Sequence, residues 1–305
     1  MQTCDICYVD FENMLFESHV ISCMAEQKDL LTQFNEHKSE NNKSETKKKI
    51  YDFDKLNVEL TDIQTKAVKF FTKKSKVISV NMYLLILARF KFLGYTEDDM
   101  KLTIEYFKKV PAIIHVSFQA LQFLIKDTHY RNQFETKTSR GALSESSRLD
   151  WEKNLFDGIY DKSTGPEKVK YGAVNVLSDQ FGVKTACPYG ECYFQLKESV
   201  KSRISFVNGD SSCKQLHICS FRYMVQMLYY IDDNLFKTII DKALGKSIST
   251  DMFTKNYMYI ELQVHGPIRL SEDIEKLVIP SQAKNDDIDL AMKFCSKNKI
   301  NLDHY

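Results

Sequence analysis

Two sets of residues in this sequence have the types and spacing that chemistry requires. The first is Cys4, Cys7, His19 and Cys23, which together spell C-x2-C-x11-H-x3-C. Two thiolates on a turn, with a His and a Cys one helical turn apart, can surround a tetrahedral Zn2+ with three sulfurs and one imidazole nitrogen. All four ligands come from protein, so the expected metal is structural, and so short a module depends on it to fold. Phe11 and Leu15 are spaced to pack beneath it. The second set is Glu261, Gln263 and His265, which share one face of an expected strand from Tyr257 to Val264. Met258, Ile260, Leu262 and Val264 take the other face by the two-residue period. A polar row backed by such an apolar face is expected to point into a cleft or into solvent. Arg131, on an earlier segment, has the planar fork that holds a phosphate through two parallel hydrogen bonds. His265 titrates in the range that suits proton transfer near neutrality. With Glu135 or Asp210 beside it, His265 leaves hydrolysis or nucleotidyl transfer open as a second chemistry. The sequence has no Gly-rich phosphate loop, no H-E-x-x-H zinc signature and no Ser elbow.

Other polar residues have simpler readings. Arg131 and Glu135 are four apart and fit a surface ion pair. Asn208-Gly209-Asp210-Ser211 is first of all a turn. Tyr171 and Tyr193 read as wall residues, and His115 and His217, in apolar company, as core histidines. Cys187, Cys192, Cys213, Cys219 and Cys295 lack a metal spacing among themselves and read as buried or incidental thiols.

The elements that must position these residues follow from the apolar period. Ile63, Ala67, Phe70 and Phe71, then Met82, Leu85, Ile86, Ala88 and Phe92, then Met100, Ile104 and Phe107 recur at helical spacing and predict three helices. Thr61 or Asp62 caps the first, Gly94 closes the second, Thr96 with Asp98 and Asp99 opens the third, and Pro111 ends it. A fourth helical or mixed segment runs through Phe118, Leu121, Phe123 and Ile125. After residue 165 short apolar runs bounded by Gly, Asn, Asp and Pro predict strands at 171–177, 192–196, 203–207 and 257–264. Phe221 to Leu244 reads as one helix or two. The fold class is therefore α+β, a helical subdomain packed on a mixed or antiparallel sheet. The expected organisation is a zinc finger over 1–25, a charged flexible linker over 26–50 and an α+β body over 51–305. That body divides into a helical part (58–128), a sheet-containing part (129–280) and a terminal helix (285–298).

Composition bounds the function classes. The chain has 305 residues, 42 Lys+Arg against 41 Asp+Glu, and a formal charge of +1, which removes the global electrostatic argument for nucleic acid or an acidic membrane. No run approaches the ~18 apolar residues of a membrane span. Met1 to Glu12 carries acids and cysteines where a secretory signal would have a basic stretch and an apolar core. The expected location is intracellular, cytoplasmic or nuclear, with thiols reduced.

Several stretches carry resemblances. Tyr130-Arg-Asn-Gln-Phe-Glu-Thr136, Lys170-Tyr-Gly-Ala-Val-Asn175, Tyr189-Gly-Glu-Cys-Tyr193, Phe206-Val-Asn-Gly-Asp-Ser211 and Tyr259-Ile-Glu-Leu-Gln-Val-His-Gly-Pro267 resemble the signatures of a domain family of unknown function found in bacteria and scattered eukaryotes. Those signatures read approximately Gln-Phe-Glu-Thr-Gly, Tyr-Gly-Ala-Leu-Asn, Gly-Ser-Cys-Tyr, Gly-Asp-Ser and Gln-(Ile/Val)-His-Gly-Pro. The resemblance spans roughly Leu60 to Ile279 and departs after Thr136, where Lys137-Thr-Ser-Arg-Gly141 replaces a glycine-rich continuation. The finger resembles the small ubiquitin-binding zinc fingers of DNA-repair ligases, which implies a protein partner, ubiquitin among the candidates, with nucleic acid the weaker one. In those fingers an Asp lies two residues after the His; here that residue is Ile21. The polar row looks like the layout of ADP-ribosyltransferases, which implies NAD as cofactor, Arg131 binding it, Tyr171 or Ser205 lining the nicotinamide pocket, Glu261 catalytic and Gln263 positioning an acceptor. Glu261-Leu-Gln263 reverses that group's usual order. The expected function is NAD-dependent ADP-ribosyl transfer, or NAD cleavage, on a protein recruited by the finger. The alternatives are a non-enzymatic adaptor and a His265-dependent hydrolase or nucleotidyltransferase.

Overall fold

The computed structural model describes residues 2–3, 10–11, 55–138, 144–213, 216–248 and 260–305. Cys4, Cys7, His19, Cys23 and the expected linker lie outside the described residues, as do Tyr257 to Tyr259. Near the start, β1 (Gln2–Thr3) and β2 (Asp10–Phe11) pair antiparallel, bracketing Cys4 and Cys7 in the sequence.

The body begins with α1 (Asp62–Asn81), α2 (Tyr83–Phe92) and α3 (Glu97–Lys109). The first and third start with capping boxes. Thr61 accepts from the Gln64 N–H while Gln64 returns a bond to the Thr61 N–H, and Thr96 with Asp99 does the same. Each such cap contributes about 1 kcal/mol to its helix. The chain then supplies β3 (Ala112–Val116), α4 (Phe118–Leu124), β4 (His129–Tyr130), α5 (Gln133–Thr136), α6 (Glu145–Phe156), β5 (Lys170–Val174) and β6 (Cys192–Leu196). It continues through β7 (Ile204–Phe206), β8 (Cys219–Ser220), α7 (Met227–Tyr230), α8 (Asp233–Ala243) and β9 (Ile260–Val264). Finally come β10 (Ile268–Arg269), β11 (Ile274–Ile279), α9 (Asn285–Asn298) and β12 (Asn301–His304). Eight of these strands form one mixed sheet in the order β12-β11-β6-β3-β5-β9-β7-β8, with β11 and β12 parallel and the other neighbours antiparallel.

The protein is thus α+β, with helices on both faces of the sheet. On one face Ile260, Leu262 and Val264 of β9 join the main core with Phe90, Phe107 and Phe236 from α2, α3 and α8. On the other, Ala67 and Phe71 of α1 and Phe156 of α6 pack with Tyr160, Val169 and Val207. Gly172 of β5 is required by close approach: a Cβ there would stand 2.3 Å from the Ile113 carbonyl oxygen. β5 lies between β3 and β9.

Two features differ from the sequence reading. The stretch 58–128, read as helical, contains β3 near the centre of the sheet. Its five residues are all buried, so both faces are covered and no alternation marks it as a strand. The sheet also extends past residue 280, because β12 follows the terminal helix and pairs with β11.

Candidate functional site

β9 sits between β5 and β7, and its registers set the site. Gln263 lies opposite Tyr171 on β5 and Ser205 on β7, while Glu261 lies opposite Ala173. Beyond β7 the Glu261 backbone keeps the pairing going, donating to the Gly209 carbonyl and accepting from the Val207 N–H. The Asn208-Gly209-Asp210-Ser211 turn therefore passes beside Glu261, and Ser211 hydrogen-bonds its carboxyl.

The polar row was expected in a cleft or in solvent, but Glu261 is 5% exposed and Gln263 and His265 are wholly buried. The cover is α1 and the segment around α6: Phe71 stacks on the His265 ring at 4.8 Å and Phe156 meets it edge-on at 5.1 Å. Within the row Tyr160 Oη lies 2.7 Å from His265 Nδ1, and His265 Nε2 lies 3.0 Å from Ser205 Oγ. Ser205 donates to Gln263 Oε1 at 3.0 Å, and Gln263 Nε2 donates to Glu261 Oε1 at 2.9 Å. Burial, reinforced by the positive charges of Arg203 and Lys170, pushes the His265 pKa down to about 3. Burial, then the neighbouring charge of Asp210, pushes Glu261 up to about 7 against the hydrogen bonds of Gln263 and Ser211. His265 is therefore neutral near pH 7, with both nitrogens engaged, whereas Glu261 is poised between its two forms.

Two clusters flank the row. Arg203, fully buried, donates Nη1 to the His265 carbonyl at 2.8 Å and pairs through Nη2 with the buried Asp273 at 3.2 Å. Asn57 closes this cluster, receiving from Arg203 Nε and donating to Asp273. The chain turns at Gly266 in the left-handed region (φ +86°), which disfavours any residue with a side chain, and a Cβ there would also have to displace the end of the Leu60 side chain 2.4 Å away. On the other side Lys168 pairs with Glu152 at 3.1 Å, both buried, and Tyr171 reaches Glu152 at 3.4 Å. Lys170 donates to the Pro166 and Lys168 carbonyls, and burial lowers its pKa to about 8.

Of the residues singled out from sequence, the structure brings Glu261, Gln263, His265, Ser205, Tyr171 and Asp210 to one face of β5, β9 and β7. Arg131 and Glu135 stand apart, on β4–α5. The Arg131 side chain is 45% exposed, donates Nε to Asp127 at 2.7 Å and Nη1 to Glu135 at 3.2 Å. Their link to the row is electrostatic, since both act on the charge of Lys170, which in turn acts on His265. His115 and His217 are structural: His115 bridges the Gly190 carbonyl and the Val183 N–H, and His217 stacks on Tyr230 at 3.3 Å. The five described cysteines are free thiols, and no group of three or more His, Cys, Asp or Glu among the described residues could hold a metal ion. Tyr160, Lys170, Arg203 and Asp273 had no place in the sequence-derived site. Lys170 alone carried a signal, as the first residue of a quoted stretch.

The strand β5, the turn beside Glu261, the β4–α5 segment, the start of β6 and β9 itself all fall in stretches that carried the resemblance to a domain of unknown function. Residues 111–247 match the model of the family described as "Protein of unknown function (DUF3626)". That span includes Arg131, Glu135, Tyr160, Tyr171, Ser205 and Asp210 and stops short of β9 with Glu261, Gln263 and His265. No curated protein matches the chain. Among the described residues no helix is long and apolar enough to cross a membrane.

Proposed function

We propose that this protein transfers ADP-ribose from NAD to a protein target, with Glu261 as the catalytic acid residue. The observation that carries the reading is the Glu261 carboxyl: it takes the Gln263 amide on one side, sits beside Ser211 and Asp210 on the other, and titrates near neutrality. Two adjacent carboxylates concentrate negative charge where a ribosyl cation would form, and such a cation would draw Glu261 into its ionised form. In that transfer the bond from ribose to nicotinamide breaks with its electron pair leaving on nicotinamide, and the acceptor bonds to the ribose carbon as it loses a proton. The half-buried Tyr171 beside Gln263 suits the nicotinamide wall. Arg131 would serve the diphosphate, exchanging Asp127 and Glu135 for phosphate oxygens.

The same proposal has Cys4, Cys7, His19 and Cys23 hold a structural Zn2+ and the finger recruit the target, ubiquitin or a ubiquitinated protein in the first instance. The antiparallel pairing of β1 and β2 around Cys4 and Cys7 supports a reversal of the kind a zinc knuckle needs. One zinc per chain, lost in Cys4→Ser, is the expected measurement.

A second reading, a non-enzymatic adaptor, is favoured by the burial of the whole row beneath α1 and the α6 segment. A His265-centred hydrolase or nucleotidyltransferase is the weaker alternative, because the neutral, doubly bonded ring has no nitrogen to offer a substrate proton. Purified protein and its Glu261→Gln variant, given labelled NAD and then labelled ATP with and without ubiquitin and cell lysate, separate the three. NAD-derived label transfer or nicotinamide release that disappears in the variant supports the transferase. Turnover of ATP alone moves the assignment to nucleotidyl transfer, and no turnover by folded, zinc-loaded protein leaves the adaptor.

A further inference from the structure

The hydrogen bonds along the polar row run in one direction. Gln263 presents its acceptor, Oε1, to Ser205 and its donor, Nε2, to Glu261. A hydroxyl has a single proton, so Ser205, having donated to Gln263, meets His265 Nε2 as an acceptor. His265 then carries its proton on Nε2 and offers a bare Nδ1 to the Tyr160 hydroxyl, which donates. Burial raises the Tyr160 pKa well above its usual value, so that proton stays on the phenol. The opposite direction is also a closed chain: a protonated Glu261 donates to Gln263 Oε1, the amide turns its NH2 to Ser205, Ser205 donates to Nε2, and His265 holds its proton on Nδ1. That direction deprives the buried Tyr160 hydroxyl proton of its acceptor in the row.

We propose that Tyr160, His265 and Ser205 are positioning residues that set the Gln263 amide with its NH2 on Glu261 and thereby bias Glu261 toward its carboxylate form. Their route is through Gln263. Any catalytic consequence rests on the transferase reading above, whereas the direction of the chain does not. The groups around the two ends agree with it. His265 is faced by the cations Arg203 and Lys170 and by the rings of Phe71 and Phe156. Positive neighbours and burial keep the imidazole neutral, so its remaining freedom is which nitrogen bears the proton. Glu261 is faced by Asp210 and Ser211 from the turn after β7 and by the Tyr171 phenol from β5. Asp210 and burial favour protonation, and the amide donated by Gln263 opposes them.

The test uses the full chain labelled with 15N-histidine and 13C-carboxyl glutamate, assigned with His265→Asn and Glu261→Gln. The expected spectrum shows His265 protonated on Nε2 and bare on Nδ1 across the neutral range; a proton on Nδ1, or an imidazolium, overturns the proposal. Tyr160→Phe and Ser205→Ala should each raise the Glu261 midpoint by roughly one pH unit, the size of a lost hydrogen bond. Ser205→Thr, which keeps the hydroxyl, should restore it. A midpoint unmoved in both folded variants overturns the proposal, and if neither folds, the tautomer of the native protein decides alone. If NAD turnover is present, the acid limb of its pH profile should move with the midpoint. A moved midpoint without NAD turnover removes the transferase reading and leaves the chain in place. Turnover with an unmoved midpoint does the reverse.

Discussion

The two faces of β9 are equally buried and built on opposite principles. Ile260, Leu262 and Val264 enter a hydrocarbon core in which each contact is weak, undirected and replaceable by a group of similar volume. Glu261, Gln263 and His265 enter a chain of hydrogen bonds in which each side chain has a named partner. Burial therefore does not separate the two faces; connectivity does. A buried polar group left without its partner costs roughly 1 to 3 kcal/mol, so a fold keeps such a row only where every member is satisfied. The apolar face should answer mutation in stability, and the polar face in titration and, on the transferase reading, in turnover.

The sharpest break of that comparison is Glu261→Gln, which keeps the shape of the row. On the transferase reading it should lower NAD turnover by roughly 100- to 1,000-fold while leaving the thermal midpoint close to that of the native chain. Leu262→Ala, one residue along the same strand, should do the reverse, costing about 2 to 5 kcal/mol in denaturant unfolding. Comparable losses of stability from both would show that the polar face is merely a second core. Asp273→Asn belongs with the stability class for a different reason: it takes from the buried Arg203 the carboxylate it pairs with, which Arg269 also shares, at about 3 to 5 kcal/mol.

Much of this was legible in the residues. The period of two set the facing of Glu261, Gln263 and His265, and the capping residues Thr61 and Thr96 marked two helix starts. The sequence did not reveal what covers the row. Phe71 and Tyr160 approach His265 through packing between distant segments, and no local pattern records it. Arg203 read as the first residue of a strand, and only the fold pairs it with Asp273. Arg131 reads two ways in the sequence, as a phosphate fork or an ion pair with Glu135, because an Arg fork suits phosphate and carboxylate alike; in the structure Asp127 and Glu135 occupy it. At Lys137, where the resembled signature has Gly, the chain adopts φ +57° as the left-handed end of α5. That conformation explains the Gly, and Lys bears it at roughly 1 to 2 kcal/mol.

The comparison sharpens further with pH, because the two titratable members of the row pull stability in opposite directions. The His265 pKa is depressed from 6.5 to about 3. Between those values the unfolded chain binds the proton and the folded one does not, so stability falls as pH drops through that window. The Glu261 pKa is raised from 4.5 to about 7. Between those values the folded chain holds the extra proton, so this contribution is present below the lower value and fades as pH rises through the upper one. Urea midpoints measured across the acid range should therefore lose their acid-side fall in His265→Asn and their neutral-side fall in Glu261→Gln. The same acid-side slope in native protein and His265→Asn would mean that the imidazole is not buried neutral.

The smallest effect is expected at the exposed end, where Arg131 bridges Asp127 and Glu135. The hydrogen bond from Arg131, more than its charge alone, lowers the Asp127 pKa from 3.8 to about 2. That contribution is present above the higher value and disappears as pH falls through the lower one. At neutral pH Arg131→Ala should cost only about 0 to 1 kcal/mol, because an exposed pair gives back much of its attraction to solvent. If Arg131 serves the diphosphate, the same variant should raise KM for NAD well beyond what so small a loss of stability explains. Arg131→Lys should recover little, since an ammonium cannot grip two oxygens in parallel. An unchanged KM in both variants would leave Arg131 a surface ion pair, confine the site to the row over β9 and require another group to hold the phosphates.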